Sequence, residues 1–553
     1  MPPVCFHRGC AAPDLPLLVE ECAPHSRGFS GRTTMAHVRR DVWKLGSGWS
    51  DTLLWYARGV GVLQQRPITD RTSWRFLAAI HGIDIPLWQS AGYLRRGEQL
   101  PSQADQDTYW NQCQHQSWYF LPWHRGYLAS FEQIVRKAIV SLGGPSDWAL
   151  PYWNYNENQQ TLKLPACFAA TTLPNGEQNP LFVARRFGPT GNGVVVLNEQ
   201  RINLRPALTD HDFAGGSGGG SPGFGGPVTV FEHYGQVSGR LESQPHNYVH
   251  VAVGGQQQGS RVPGLMIDPD TAGLDPIFWL HHANIDRLWD VWLQRDRQNR
   301  NPVNSAWLNG PPTPGRGFVV PTVSGDSWPF KVSDMLDTRA PKLDYSYEDT
   351  SDPLHGTRAF QQRLETLGAS PEPLGAAVVK EKSMSAQSPA ELLGANDKAI
   401  ALTGATVETP LQLDQSTSGK LMGNLKSRAF APTVAEHSLD RVYLNLENIR
   451  GNNDAATFDV YISLPVEGQL SALPDQYVGS ISLFGVRKAS SPDSQHGGKG
   501  VSHVLEITDV FDKLSASGHP VLAKLQVRFV PVTDVQAEDN ITVGRVSVYR
   551  QGD

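Results

Sequence analysis

The stretch CQHQSWYFLPWHRGYLASFEQIVRKAIV, residues 113–140, decides the reading of this chain. After Pro122 the residues Trp123, Tyr127, Leu128, Phe131, Ile134 and Val135 recur at helical steps, the mark of a helix with one apolar face. Proline suits the first turn, where its missing N–H would have no partner anyway. His124 therefore stands near a helix start and faces inward, with eight residues between it and His115.

Working outward, further histidines fall on apolar faces. In TSWRFLAAIHGIDIP (72–86), Trp74, Leu77, Ala78 and His81 share one face of a helix, although a lone histidine there also reads as a hydrogen-bonded core residue. PHNYVH (245–250) sets His246 and His250 four apart, close enough on one face to share an ion; structural zinc uses that spacing too. In DPIFWLHHANIDRLWDVWL (275–293), Ile277, Leu280, Ile285, Leu288 and Val291 mark an amphipathic helix opened by Asp275 and Pro276, an acidic cap with proline behind it. His281 and His282 lie about 100° apart on that helix and cannot share one role. Periodicity alone does not choose between them. Two sets of three histidines, neutral imidazoles being good copper ligands, form the ligand set of a coupled dicopper oxygen site.

Composition sets the class. The chain has 553 residues, 39% hydrophobic and 18% charged, with a formal charge of −6, as expected of a globular protein with a large core. No run of Lys and Arg points to nucleic acid or an anionic membrane. No segment reaches the eighteen or so apolar residues of a membrane span, and neither the N-terminus nor Arg39-Arg40 precedes an apolar export signal. The expectation is a cytoplasmic protein. Three of the five cysteines (Cys5, Cys10, Cys22) lie in the first 34 residues, which argues against a disulfide framework. Residues 1–35 show no period and read as disordered or as a mis-called start, with Met35 as an alternative initiator.

Residues 36–350 read as a mainly α catalytic domain, interrupted by FAGGSGGGSPGFGGP (213–227), expected to be a flexible surface loop. Residues 351–395 read as a linker. From 396 to 553 the texture changes to short alternating runs, among them VYLNLENI (442–449), LQVRFVPV (525–532) and ITVGRVSVY (541–549). Every second residue is apolar in the last two, which predicts an all-β sandwich or barrel.

HQSWYFLPWHRGYLASFE (115–132) and DPIFWLHHANID (275–286) are similar to the two copper motifs of the tyrosinase family, which includes polyphenol oxidases and molluscan haemocyanin units. PYWNYN (151–156) and Tyr345-Ser346-Tyr347 look like further family landmarks. The resemblance implies a four-helix bundle holding two copper ions, one on His81, His115 and His124, the other on His246, His250 and His282. His281 becomes a wall of the substrate pocket. It also implies dioxygen as co-substrate, ortho-hydroxylation of a phenol, and oxidation of the resulting catechol to an o-quinone.

Cys113, two residues before His115, stands at the spacing at which some family members join cysteine sulfur to the histidine ring; the alternative is a small buried hydrophobe. Glu242 and Asn247 match the pair that holds a water for taking the phenol proton, against the plainer readings of a solvated carboxylate and a surface amide. Val251 and Pro269 would line an open pocket, and Asp286 with Arg287 would form a supporting network. RVYLNLENI (441–449) and TFDVYISLP (457–465) resemble the C-terminal domain of plant polyphenol oxidases, which implies a lid over the copper pocket or a module for stability and assembly into a homo-oligomer. A catechol oxidase without hydroxylase activity, an oxygen carrier and a structural zinc protein are the competing readings. Glu242, Asn247 and the lack of tandem units speak for the hydroxylating enzyme.

Overall fold

Serine and aspartate caps start two of the helices that build the site. In the computed structural model, which describes residues 37–46, 48–216, 218–230, 236–311, 316–355, 359–368, 389–429, 439–463, 476–493, 497–516 and 523–552, helix α1 is Asp51–Gln65, α2 Trp74–His81, α3 Phe120–Ser141, α4 Tyr248–Gly254 and α5 Pro276–Arg295. Ser73 Oγ accepts the Phe76 N–H at 3.1 Å and Asp275 Oδ1 the Ile277 N–H at 3.0 Å, each satisfying a donor that the first turn leaves without a partner. Pro122 and Pro276 sit in first turns, as expected. Residues 1–35, read above as disordered or mis-called, lie outside the described residues.

Helices α2, α3, α4 and α5 form the histidine-bearing bundle: α3 packs on α5, and His81 of α2 and His250 of α4 each meet Phe278 of α5, while α1 packs against α3. Aromatic rings join the long helices. Phe131 of α3 stacks on Trp279 of α5 at 3.5 Å and 9°, with Trp74 of α2 edge-on to Phe131 at 5.9 Å. Such pairs add about 0.5–1.5 kcal/mol each beyond the area they bury.

The glycine-rich stretch 213–227 is not a flexible surface loop. Phe213 and Phe224 are buried, Phe224 stacking on Trp292 at 4.5 Å and 8°. Residues 219–227 are buried as well. A Cβ on Gly219 (φ +100°) would come within 2.5 Å of the Tyr549 ring, and one on Gly220 within 2.7 Å of the Gln551 side chain. The glycines serve close approach of backbone to a neighbouring strand.

Beyond residue 390 eight antiparallel strands form one sheet: β1 Glu391–Ala395, β2 Val407–Leu413, β3 Arg441–Ile449, β4 Thr457–Ser463, β5 Gln476–Ser482, β6 Val501–Glu506, β7 Lys524–Pro531 and β8 Arg545–Gln551. Their order is β5-β4-β7-β2-β1-β8-β3-β6. The two end strands, β5 and β6, approach each other, so the sheet curls into a near-barrel. Alternation fits the expected pattern: Leu525, Val527 and Phe529 of β7 face the core while Gln526 and Arg528 are less buried. The domain also carries helices that alternation could not show. Among the described residues α7 is Gln415–Ala429, α8 Val486–Ser490 and α9 Thr508–Ala516.

The stretch read as a linker holds α6, Ala359–Thr366, and strand β1. Arg363 Nε donates to Asp512 Oδ2 of α9 at 2.7 Å, and Leu364 and Leu367 join the C-terminal core. Residues 369–388 lie outside the described residues.

Candidate metal centre

The bundle brings the predicted histidines together in two buried groups. One holds His81 from the last turn of α2, His115 from the loop before α3, His124 from α3, and Cys113; the other holds His246, His250, His281 and His282, from the turn before α4, α4 itself and α5. Within each group the donor atoms lie within 4.8 Å of one another. The groups adjoin. The His124 and His282 rings stack at 4.4 Å and 17°, and His115 and His246 stand 5.8 Å apart.

Backbone carbonyls orient the rings. His81 Nδ1 donates to Pro269 O at 2.7 Å, His124 Nδ1 to Phe120 O at 2.7 Å and His250 Nδ1 to Met266 O at 2.9 Å. A carbonyl can only accept, so each Nδ1 carries the proton and each Nε2 presents a lone pair. His246 Nδ1 is held in the same way by Asn247 Oδ1 at 2.9 Å.

These rings fit a soft divalent or monovalent metal. Nε2 of His81 and of His246 is buried without a hydrogen-bond partner, and His250 Nε2 lies 3.3 Å from His282 Nε2, two donors aimed at one space. Burial lowers the pKa of His81 to about 4 and of His246 to about 3, and pushes those of His124, His250, His281 and His282 well below the usual imidazole value. All are neutral near pH 7, the form a metal requires. Lone pairs without partners in a dry core are costly unless something occupies them.

His281 stands as near to the second group as His282 does. Its ring stacks on His246 at 5.3 Å and 25°, its Nδ1 lies 3.4 Å from the Tyr155 hydroxyl, and its Nε2 is buried without a partner. His282 alone of the two rings also meets the first group, 4.4 Å from His124 and 6.2 Å from His81. Cys113 is buried with Sγ 3.4 Å from His115 Nδ1, 3.7 Å from His115 Nε2 and 3.4 Å from His124 Nε2.

Glu242 and Asn247 meet at a cavity of about 10 Å³ that His115, Gln116 and Pro269 also line, close to the room one water needs. Glu242 is buried, not solvated. Its two carboxylate oxygens accept the Gln116 N–H at 2.8 and 2.9 Å, and burial raises its pKa to about 8. Asn247 is buried too, its amide donating to Ser238 Oγ at 3.3 Å. Of the three residues expected at the substrate pocket, Pro269 lines this cavity, whereas Val251, buried on α4, and His281, in the second histidine group, are not among its lining residues.

The far wall comes from the C-terminal domain, for which a lid was one of the two expected roles, through residues that the sequence did not single out. Phe484, Gly485, Ala489 and Val501 line the cavity. The Phe484 ring stacks on His250 at 4.4 Å and 28°, and meets His115 at 5.6 Å and His246 at 5.8 Å edge-on.

Asp286 does not pair with Arg287. Asp286 Oδ1 accepts from Arg125 Nε at 2.6 Å, and Oδ2 from both Tyr345 and Tyr347 hydroxyls at 2.6 Å and from Arg39 at 3.3 Å. Arg287 instead donates to Asn284 and Asn154. The side-chain direction of α5 separates the neighbours: Asp286 turns to α3 and the strand Tyr345–Tyr347, Arg287 to the loop at 154. Burial pushes the Asp286 carboxyl up, yet Arg125 and Arg39 outweigh it and hold it below the usual range.

Comparison with known proteins agrees with this geometry. Residues 71–295 match the common central domain of tyrosinase, and residues 389–551 a domain of unknown function (DUF7868). A tyrosinase, HcTyr1, of Hahella sp. (strain CCB-MM4) is 33% identical over 93% of this chain and 100% of its own length. A chloroplastic polyphenol oxidase of Malus domestica is 27% identical over 73% of this chain and 62% of its own. Among solved structures, that of latent apple tyrosinase shares the fold with a TM-score of 0.55 at 22% identity, covering 94% of this chain and 98% of that one. The family acts as an oxidoreductase with two copper ions and dioxygen as co-substrate, and the two histidine groups suit that pair of ions. This chain belongs to the tyrosinase family.

Proposed function

We propose that the protein is a tyrosinase that hydroxylates monophenols at the ortho carbon and oxidises the catechols to o-quinones. The observation that carries this reading is a buried carboxylate, Glu242, at a one-water cavity beside His115 and Asn247. A phenol, of pKa near 10, arrives protonated and must lose that proton to react. Glu242, a strong base once ionised because burial raises its pKa to about 8, would take it through a water in the cavity, and Asn247 holds His246 in the tautomer that leaves its Nε2 lone pair free. His81, His115 and His124 would hold one copper; His246, His250 and His282 would hold the other. His282 is preferred over His281 because its ring alone also meets the first group. The coppers, when bound, bind dioxygen and draw electrons from the phenol; the surrounding rings exclude bulk water.

The C-terminal domain is read as a lid. Phe484 occupies the face of His250 where a phenol ring would stack.

The catechol-oxidase reading has one observation behind it: Asn247 Oδ1 is engaged by His246 Nδ1, so it is not free to hold a water beside Glu242. Turnover of tyrosine and of L-DOPA by the copper-loaded protein, followed separately, tests the choice. Quinone from both supports a tyrosinase, quinone from L-DOPA alone selects the catechol oxidase, and none from either sinks the oxidase reading.

A further inference from the structure

Two amide side chains stand on the wall of the one-water cavity, and their hydrogen bonds differ. Asn247 is committed at both ends: its Oδ1 faces His246 Nδ1 at 2.9 Å, and its Nδ2 donates to Ser238 Oγ at 3.3 Å. Gln116 is not. It is 7% exposed, it lines the cavity together with Glu242, and its Oε1 is buried without a hydrogen-bond partner. A buried amide oxygen left without a donor is costly, and folded proteins keep few of them.

The backbone of Gln116 carries a second cost. Its φ is +54°, in the left-handed region that a residue with a Cβ enters at a steric penalty. The same residue holds Glu242: its N–H is shared between the two carboxylate oxygens at 2.8 and 2.9 Å, and the Gly239 N–H reaches Oε2 at 3.4 Å. Gln116 thus meets the carboxylate through its main chain and the cavity through its side chain. Backbone strain of this kind persists where the surroundings impose it, and functional sites are where it clusters.

Proton removal sets what the cavity must do. A water can accept the proton of a phenol only when one of its lone pairs faces the phenol hydroxyl, so both of its own O–H bonds must be donated elsewhere. Glu242 supplies one acceptor. Asn247 Oδ1 already receives the His246 N–H, which leaves Gln116 Oε1 as the amide oxygen of the wall that lacks a donor.

We propose that Gln116 Oε1 is the second acceptor for the cavity's water, so that Gln116 and Glu242 together aim the water's lone pair at the phenol while Asn247 serves His246. This deepens the hydroxylase reading above and rests on it. As the phenol O–H breaks, an O–H bond forms on the water; the water's bond toward Glu242 breaks, and a carboxyl O–H forms. The water's bond to Gln116 is kept throughout. The phenol is left as phenolate, the water is regenerated, and no electron moves in this step. Gln116 is a positioning residue, acting through the water.

Two measurements test this. A crystal structure of the full chain should place one water within about 3.2 Å of both Gln116 Oε1 and a Glu242 oxygen. A dry cavity, or a water held by Asn247 in place of Gln116, overturns the assignment. In the copper-loaded enzyme Gln116→Met, which keeps the length of the side chain and removes the acceptor, should lower kcat/KM for 4-ethylphenol by about tenfold and that for 4-ethylcatechol by no more than about twofold. Gln116→Asn, which suits a left-handed backbone but is one methylene too short, should fall between the parent and Gln116→Met. In a Glu242→Gln background the loss from Gln116→Met should shrink to about twofold or less, because two residues that hold one water do not act additively. Equal losses on both substrates, or a loss that is the same with and without Glu242, overturns the proposal and leaves Gln116 a packing residue. If Gln116→Met does not fold, Gln116→Asn and the crystallographic water carry the test. Quinone from 4-ethylcatechol alone in the parent counts against the hydroxylase reading instead, and the position of the water still decides between Gln116 and Asn247.

Discussion

Cys113 Sγ stands almost equally far from the two ring nitrogens of His115, 3.4 Å from Nδ1 and 3.7 Å from Nε2. Cε1 is the one carbon bonded to both nitrogens, and a sulfur so placed is in reach of it. A thioether there replaces one C–H and one S–H bond by C–S, with two electrons and two protons passing to dioxygen. Peptide mapping of the copper-loaded, aerated protein should recover residues 113 and 115 joined, lighter by two hydrogens. A thiol at Cys113 that still alkylates after unfolding refutes the bond.

Removing the ring that covers the histidines should open the pocket. Phe→Ala at a packed site costs about 3–5 kcal/mol, here set against lid closure, so Phe484→Ala should raise catechol turnover by at least about tenfold. Steady-state rates of the full-length variant and its parent measure this. An unchanged rate shows that the lid does not limit access.

Glu242→Gln keeps the shape of the side chain and ends its capacity to take a proton. Hydroxylation of a monophenol should fall by about 100-fold, whereas oxidation of a catechol, which is already at the level of the intermediate, should fall far less. Asn247→Ala should act in the same direction, because it removes a polar group that lines the cavity beside Glu242. Equal losses on both substrates would indicate damage to the metal site rather than to proton transfer.

Asp454 gives a pH signature. Burial first, and the neighbouring Asp268 carboxylate second, raise its pKa to about 7 despite Arg487. The folded state therefore holds a proton there that the unfolded chain releases near 4. Its contribution to stability is complete below the unfolded value and is lost as pH rises through about 7, at no more than about 1.4 kcal/mol per pH unit. Thermal midpoints of the parent should decline relative to those of Asp454→Asn between pH 4 and 7 and run parallel above. Parallel curves throughout would rule out the raised value.

Asp286→Ala should cost about 3–5 kcal/mol, because Arg39 and Arg125, both fully buried, lose their shared carboxylate. Denaturant titration measures the loss. Conservative Asp286→Asn should cost less, since the Tyr345 and Tyr347 hydroxyls still find an acceptor.

Much of this site was legible because its parts are periodic. His81, His124 and His250 lie on apolar helical faces, and a helix with one buried stripe carries its histidines inward with it. The β strands announced themselves by alternation. What escaped was non-local. Phe484 sits in a segment with no motif, more than 230 positions from His250, and only folding brings it there. Arg39 and Arg125 became the partners of Asp286 through the Tyr345–Tyr347 strand, where sequence adjacency favoured Arg287. His281 and His282 stayed ambiguous because α5 is buried on every side at that point, so both rings are inside. The glycine-rich stretch misled because glycine serves close contact as readily as mobility.

The position of β8 has a consequence for the order of synthesis. This strand, the last of the eight in chain order, lies between β1 and β3 in the interior of the sheet, and Gly219 and Gly220 receive its Tyr549 and Gln551. A ribosome that has delivered the whole helical bundle has not yet delivered the strand that completes the platform beneath Phe484. A chain at that stage can bring its histidine-bearing helices together while Phe484 still lacks the finished sheet that holds it on His250.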